Sequence, residues 1–148
     1  MSSRGQRLLW HGMMLFVLGL ITGLVPQQLT NPRMGLSAHL EGLMNGTFLL
    51  AVGAVWDRSQ LSPRTSAVAF GTVIYGTYAN WITTTAAAIL GTSAMTPLAS
   101  GSHRAAGWQE LLVMVGFVTV AIAMLVSSIL LLLGFRSEIR NAESTIDT

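Results

Sequence analysis

One stretch, residues 36–56, is apolar and long enough to cross a bilayer, yet it carries His39, Glu41 and Asn45 within two turns. A membrane-spanning helix needs about 20 mostly apolar residues. Ionisable side chains inside such a helix are costly, and by default they mark functional sites. The stretch therefore predicts a transmembrane helix that carries a functional site, with the rest of the chain holding it in lipid.

Helical geometry divides this stretch into two faces. The face of His39 also carries a line of glycines, namely Gly35, Gly42, Gly46 and Gly53. They leave a flat strip beside the imidazole, against which a large planar group or another helix could lie. Glu41 and Asn45 are four residues apart on a different face, where their side chains can meet. The glycines alone favour a helix-packing face, with His39 a satisfied interior histidine, whereas His, Glu and Asn together favour a site.

The composition is that of an integral membrane protein of one domain. Only 9% of the 148 residues are charged and 51% are hydrophobic, against about 25% charged residues in a soluble domain. All eight basic side chains are arginines, and no basic stripe with interleaved aromatics suggests a nucleic-acid partner. Cysteine is absent, which excludes disulfides, thiolate metal sites and cysteine nucleophiles. The first apolar run has no convincing cleavage site, so we expect a retained helix.

Four apolar segments predict an all-α, four-helix transmembrane bundle. Their expected bounds are residues 8–25, 36–56, 66–90 and 111–135. A polar tail, residues 136–148, is expected to be disordered after a turn or two. Residues 91–107 form a long connection, and connections of that length are often functional covers.

Arginine is distributed unequally between the two ends of the predicted bundle. The N-terminal segment, the middle connection and the tail hold Arg4, Arg7, Arg58, Arg64, Arg136 and Arg140, and the other two connections hold Arg33 and Arg104. Positively charged loops stay in the cytoplasm. We therefore expect a multi-pass protein of the inner (cytoplasmic) membrane with both termini inside the cell.

This topology places several polar residues at a similar depth. Asn45 in the second helix and Asn80 in the third lie at nearly the same level, with Tyr78 slightly deeper and Glu41 slightly shallower. Polar groups on facing helices at one depth make a site, because each alone is costly in lipid. The alternative for Asn80 is a plain interhelical hydrogen bond, worth about 0.6 kcal/mol on average.

The histidines are expected to be far apart. His11 lies near the inner end of the first helix and His39 near the outer end of the second, about 18 Å apart at 1.5 Å per residue. The two cannot ligate one haem iron within one chain. A haem held by one histidine keeps an open position, which suits substrate binding better than electron transfer. Only His103, in the outer connection, could supply a second ligand.

Two strings resemble hydroxylaminobenzene mutases: residues 31–48, NPRMGLSAHLEGLMNGTF, and residues 75–81, YGTYANW. The resemblance covers nearly the whole chain. It implies a membrane-associated isomerase that converts hydroxylaminobenzene to 2-aminophenol in nitroaromatic degradation.

The chain is more distantly similar to styrene oxide isomerase, which has a histidine followed six residues on by Asn-Gly, as His39, Asn45 and Gly46 stand here. That resemblance implies haem b on the histidine, iron acting as a Lewis acid, and a homo-oligomer, namely a trimer. The catalytic tyrosine of that family falls near Thr84, so its role does not carry over by position.

Together the resemblances give a hypothesis for the site. Haem iron on His39, flanked by Gly42 and Gly46, would polarise the N–O bond of an arylhydroxylamine. Asn45, Tyr78 and Asn80 would orient the substrate, and Glu41 would accept a proton during rearomatisation. Two alternatives remain open. One is a small membrane haem protein that transfers electrons, and the other is a non-catalytic membrane assembly protein.

The arginine asymmetry predicts the outcome of topology mapping. Reporter domains fused after Arg58 or at the C-terminus should lie in the cytoplasm, and reporters in the connections of Arg33 and Arg104 should lie outside. Reporter activity in intact cells measures this directly. The reverse pattern would also remove the depth relation between Asn45 and Asn80.

Overall fold

A computed structural model describes residues 1–100 and 103–146, and this part of the chain is helical with short connections and no strand. The helices are α1 Ser3–Thr22, α2 Pro32–Val55, α3 Pro63–Leu90, the short α4 Pro97–Ser100 and α5 Gly107–Ile146. Single 3₁₀ turns, Pro26–Gln28 and Trp56–Arg58, lie before and after α2. The all-α prediction is therefore confirmed.

Local sequence determines where the long helices begin. The side chains of Ser2, Asn31 and Ser62 cap α1, α2 and α3 by accepting hydrogen bonds from backbone N–H groups of the first turn. Proline occupies the first position of α2 and α3, where its missing N–H costs nothing. α3 ends at Gly91, whose φ of 68° is a left-handed conformation that glycine adopts without strain.

The four long helices correspond to the four predicted segments, and each begins three to five residues before its predicted start. α1 begins at Ser3 and ends at Thr22, where the prediction was residues 8–25. The expected disorder of the tail was wrong, since α5 continues to Ile146. Residues 135–146 contain neither glycine nor proline and include strong helix formers such as Glu, Arg and Ala, so nothing in the sequence ends the helix there.

The long helices pack mainly on their neighbours along the chain: α1 on α2, α2 on α3 and α3 on α5, with the contact of α2 on α1 the most extensive. One apolar cluster, which includes Leu8, Leu49 and Val73, lies where α1, α2 and α3 meet. A second cluster, which includes Met34 and Val113, lies near the start of α2, the end of α3 and the start of α5. The candidate site residues of α2 therefore lie between α1 on one side and α3 on the other.

The contact between α1 and α2 is made by backbone against backbone at glycines. A Cβ atom added to Gly42 would lie 2.4 Å from the Cα of Gly19, and one added to Gly46 would lie 2.7 Å from the nitrogen of Phe16. One added to Gly12 would lie 2.8 Å from the carbonyl oxygen of Gly46. No side chain fits at these positions, so the glycines bring the two helices into direct contact.

Two segments, Pro32–Arg58 and Gly107–Arg136, are long and apolar enough to cross a membrane by length and composition. Within the described residues, α1 and α3 do not meet the same criterion. α3 contains six threonines, which lower its hydropathy without adding charge.

Residues 91–100, which follow α3, are held by two side chains. The Asn31 side chain caps α2 and donates a hydrogen bond to the carbonyl oxygen of Ala99. The Glu110 carboxylate accepts hydrogen bonds from the backbone N–H groups of Ser93 and Ala94 at 2.9 Å each. These bonds tie residues 91–100 to the starts of α2 and α5.

The glycine contact predicts a pair of contrasting stability changes. Gly42→Ala should destabilise the protein by about 1–3 kcal/mol, because the added methyl group meets the backbone of α1. Gly71→Ala, in α3, places its methyl group in open space and should be neutral or stabilising by up to about 1 kcal/mol. Denaturation of the purified proteins in detergent measures both, and equal stabilities would contradict the close contact.

Candidate active site

His39 lies on the side of α2 that faces α1, and its ring has a defined tautomer. Its Nδ1 is 2.8 Å from the carbonyl oxygen of Gly19. A carbonyl oxygen only accepts, so Nδ1 carries the proton and Nε2 carries the lone pair. Metal-binding histidines are commonly fixed by this kind of hydrogen bond.

Nε2 of His39 has no hydrogen-bond partner and is not sealed inside the chain. Among the described residues, the only fully buried side-chain nitrogen or oxygen without a partner is Thr92 Oγ1. The same part of the chain has no group of three His, Cys, Asp or Glu side chains that could hold a metal ion. A metal centre here would therefore depend on a single protein ligand, and Nε2 has the chemistry for it.

The glycine strip beside His39 is occupied by α1. A Cβ atom on Gly23 would lie 2.4 Å from His39 Nδ1, so this glycine makes room for the ring. Gly42 and Gly46 contact the backbone of α1. The sequence left open whether a large planar group or another helix lies on this strip, and the structure places a helix there. A planar cofactor against Gly42 and Gly46 would require α1 to move away.

Glu41, Asn45 and Asn80 meet between α2 and α3, and we call them the carboxylate–amide cluster. Both asparagine Nδ2 groups donate to Glu41 Oε2, with Asn45 at 3.2 Å. Asn45 is buried, and Glu41 and Asn80 are half-buried. The prediction that Asn45 and Asn80 lie at one level, and that Glu41 meets Asn45, is confirmed.

Tyr78 does not join this cluster, although the sequence grouped it with Asn45 and Asn80. Its hydroxyl donates to the carbonyl oxygen of His11 at 3.2 Å and lies 3.3 Å from His11 Nδ1. The two rings pack edge to face, with centroids 5.7 Å apart. Tyr78 is two residues from Asn80, and a shift of two residues turns a helical side chain by about 200°. Tyr78 therefore faces α1.

His11 and His39 are separated along the bundle as the sequence predicts, although by less than the expected distance of about 18 Å. His39 bonds to Gly19, which is eight residues from His11 along α1, or about 12 Å of helical rise. His103 lies beside Gly91 at the end of α3. Trp81 packs beside Gly42, and Gly91 lies ten residues, or about 15 Å, further along α3. His103 therefore lies about 15 Å from the level of Gly42 along the axis of α3.

The comparisons with known proteins agree on one family. Residues 4–136 match the family model of styrene oxide isomerase. The chain belongs to the styrene oxide isomerase family. It is 44% identical over 133 residues to hydroxylaminobenzene mutase HabB of Ectopseudomonas oleovorans, covering 89% of this chain and 81% of that protein. It is 40% identical over 124 residues to hydroxylaminobenzene mutase HabA of the same organism, covering 83% and 92%. No solved structure matches significantly.

Membership of the styrene oxide isomerase family and the two mutase relatives make this chain an isomerase that transfers a group within one molecule. The site chemistry agrees, because a carboxylate and an imidazole can accept and return the protons that such a transfer moves. The resemblance to hydroxylaminobenzene mutases that the sequence suggested is confirmed.

The sequence did not indicate the hydrogen-bond partners that α1 supplies to His39 and Trp81. The carbonyl oxygen of Gly19 holds His39, and the hydroxyl of Thr22 accepts a hydrogen bond of 3.1 Å from Trp81 Nε1. In the sequence, the spacing of Gly12, Gly19 and Gly23 indicates a close-packing side of the first helix. It carries no signal of which helix packs there.

Proposed function

We propose that this protein is a membrane isomerase that converts arylhydroxylamines, such as hydroxylaminobenzene, to 2-aminophenols. The observation that carries the proposal is the carboxylate–amide cluster, which places an ionisable acceptor and two amides on the interface between α2 and α3. The names of the two mutase relatives supply the substrate class.

The reaction breaks the N–O bond, forms a C–O bond at the ortho carbon and moves one proton. Glu41 Oε1, which receives no hydrogen bond from the described residues, accepts the proton that leaves the ortho carbon as the ring becomes aromatic again. The same carboxyl group returns a proton to nitrogen, so that the product is an isomer of the substrate. Asn45 and Asn80 hold the carboxylate through Oε2 while Oε1 moves the proton.

We further propose that His39 holds haem b through Nε2. The fit rests on the Nδ1–Gly19 hydrogen bond, which leaves Nε2 with a lone pair and no partner. When bound, the iron supplies a Lewis acid for an N–O bond that must break. His11 is bound to Tyr78 and is not proposed as a ligand.

The setting that we propose is the inner membrane, with four crossings and both termini in the cytoplasm. Large apolar side chains on the outside of the helices support it: Leu24 is 78% exposed and Leu132 is 68% exposed. Such a surface is costly in water and favourable against lipid. A site within lipid also limits water, which would otherwise capture an electrophilic ring.

We also propose a homo-oligomer, of which a trimer is the form that the family resemblance implies. His39 contacts α1, whereas Glu41 contacts α3, and they lie about 200° apart around α2. One small substrate reaches both groups more readily where two copies meet than within one chain.

The electron-transfer alternative is less well supported. It requires a second axial ligand for the iron. His11 is engaged with Tyr78, and His103 lies beside Gly91, where α3 ends.

The haem proposal predicts that the histidines differ in their effect. His39→Ala should abolish haem content and activity while the protein still inserts, because the only proposed ligand is lost. His11→Ala should retain haem. Absorption in the Soret region of gently purified protein measures both variants.

Active wild-type protein without a Soret band would contradict the haem proposal. The carboxylate–amide cluster would then carry the reaction, and Glu41 would be the leading catalytic group.

The path of the oxygen tests the intramolecular transfer itself. In ¹⁸O-water, wild-type protein should convert hydroxylaminobenzene to unlabelled 2-aminophenol with little 4-aminophenol, because the ortho carbon is the nearer one to the oxygen on nitrogen. Mass spectrometry of the separated products measures label and position. Substantial solvent label in 2-aminophenol would indicate water addition to a released cation and would contradict the proposal.

A further inference from the structure

Glu41 keeps one acceptor oxygen unpaired within the carboxylate–amide cluster. A carboxylate oxygen accepts and cannot donate, so both asparagines direct Nδ2 to Glu41 Oε2. This fixes the orientation of both side-chain amides, and each Nδ2 uses one of its two N–H groups in this way. Among the described residues, the oxygen atoms left without a hydrogen bond are Glu41 Oε1, Asn45 Oδ1 and Asn80 Oδ1.

None of these three oxygen atoms is fully buried, since Thr92 Oγ1 is the only fully buried side-chain oxygen or nitrogen without a partner in the described residues. We call the three oxygen atoms the acceptor surface. Glu41 Oε1 belongs to its only charged group and to a half-buried side chain. It therefore suits a ligand with N–H or O–H donors.

The substrates of the two reactions named by the comparisons differ in whether they carry hydrogen-bond donors. Hydroxylaminobenzene carries an N–H and an O–H donor, whereas styrene oxide carries an ether oxygen that only accepts. An acceptor placed against a carboxylate gains no hydrogen bond and is repelled. A site built to hydrogen-bond a donor discriminates strongly against an analogue that lacks it, because its own polar groups are then left unpaired.

We infer that Glu41 is the specificity-determining residue that selects arylhydroxylamines over aryl epoxides in this chain. Glu41 Oε1 accepts the substrate N–H or O–H, and Asn45 and Asn80 are positioning residues that hold Oε2. The inference rests on the proposed function, because it names the group that reads the proposed substrate.

Glu41→Gln tests the inference with little change in shape. The glutamine carbonyl oxygen can replace Oε2 toward the two asparagines, which places an NH₂ donor where Oε1 stood. The ratio of kcat/KM for hydroxylaminobenzene to that for styrene oxide should fall about tenfold to hundredfold. Thr47→Val is the matched control, since the exposed Thr47 hydroxyl bonds only within α2, to the Leu43 carbonyl oxygen, and the ratio should not change.

Ligand binding separates specificity from turnover. Calorimetry on the full-length protein in detergent compares aniline, which donates N–H, with toluene, which has the same size and donates nothing. Wild type should prefer aniline by about tenfold or more, and Glu41→Gln should lose most of that preference. Because each variant is compared with itself, a general loss of folding or cofactor cannot produce this pattern. The inference would be overturned if Glu41→Gln kept the wild-type preference both for hydroxylaminobenzene over styrene oxide and for aniline over toluene. It would also be overturned if the kcat/KM values of the two substrates, or the affinities for the two ligands, fell equally in Glu41→Gln.

Failure of the proposed function and failure of the inference about Glu41 give different results. Wild type that binds aniline in preference to toluene but does not turn over hydroxylaminobenzene contradicts the proposed function and leaves the acceptor surface supported. Wild type that turns over hydroxylaminobenzene with a ratio unaffected by Glu41→Gln supports the function and overturns the role of Glu41. If neither protein turns over styrene oxide, the aniline and toluene pair decides.

Discussion

The backbone contact between α1 and α2 is the constraint on which the site depends. Gly19 and Gly42 approach so closely that neither can carry a side chain, and this approach brings the Gly19 carbonyl oxygen within 2.8 Å of His39 Nδ1. The same glycines that allow close packing therefore fix the tautomer of the histidine. Packing and chemistry share one cause, since a helix held further away would leave Nδ1 without its acceptor.

The polar groups of α2 are divided between its two neighbours. His39 is satisfied from α1 on one side, and Glu41 is satisfied from α3 on the other. In each case one atom of the side chain is engaged and the other is left open, Nε2 in the histidine and Oε1 in the carboxylate. A half-satisfied group in an apolar setting carries a cost that a bound ligand can relieve. The engaged atoms therefore make structural hydrogen bonds, and Nε2 and Oε1 remain available for chemistry.

Family membership and local geometry answer different questions about this chain. The match to the styrene oxide isomerase family and the mutase relatives establish an isomerase. They do not by themselves distinguish an epoxide from a hydroxylamine, because one fold can host related reactions. The Glu41 carboxylate bears on that distinction, because its unpaired Oε1 accepts a hydrogen bond from a donor and repels an acceptor.

The sequence by itself determined the features that depend on neighbours within one helix. Asn31 followed by Pro32 starts α2, Gly91 ends α3, and the spacing of Glu41 and Asn45 places them on one face. Helical rise also placed Asn45 and Asn80 at one level and kept His11 away from His39. These relations follow from 1.5 Å and 100° per residue, which need no knowledge of other helices.

The tertiary structure alone decided which helix covers each face. Periodicity shows that Gly42 and Gly46 lie on one line, but it does not say that α1 fills the strip instead of a cofactor. Periodicity also places Tyr78 and Asn80 about 200° apart on α3, but only the tertiary structure shows that the side of Tyr78 faces α1 and His11. The depth and the face of a side chain follow from its position along one helix, while its partner follows from how helices distant in sequence are rotated against each other. That rotation is determined by contacts summed over the whole interface, and no local pattern contains it.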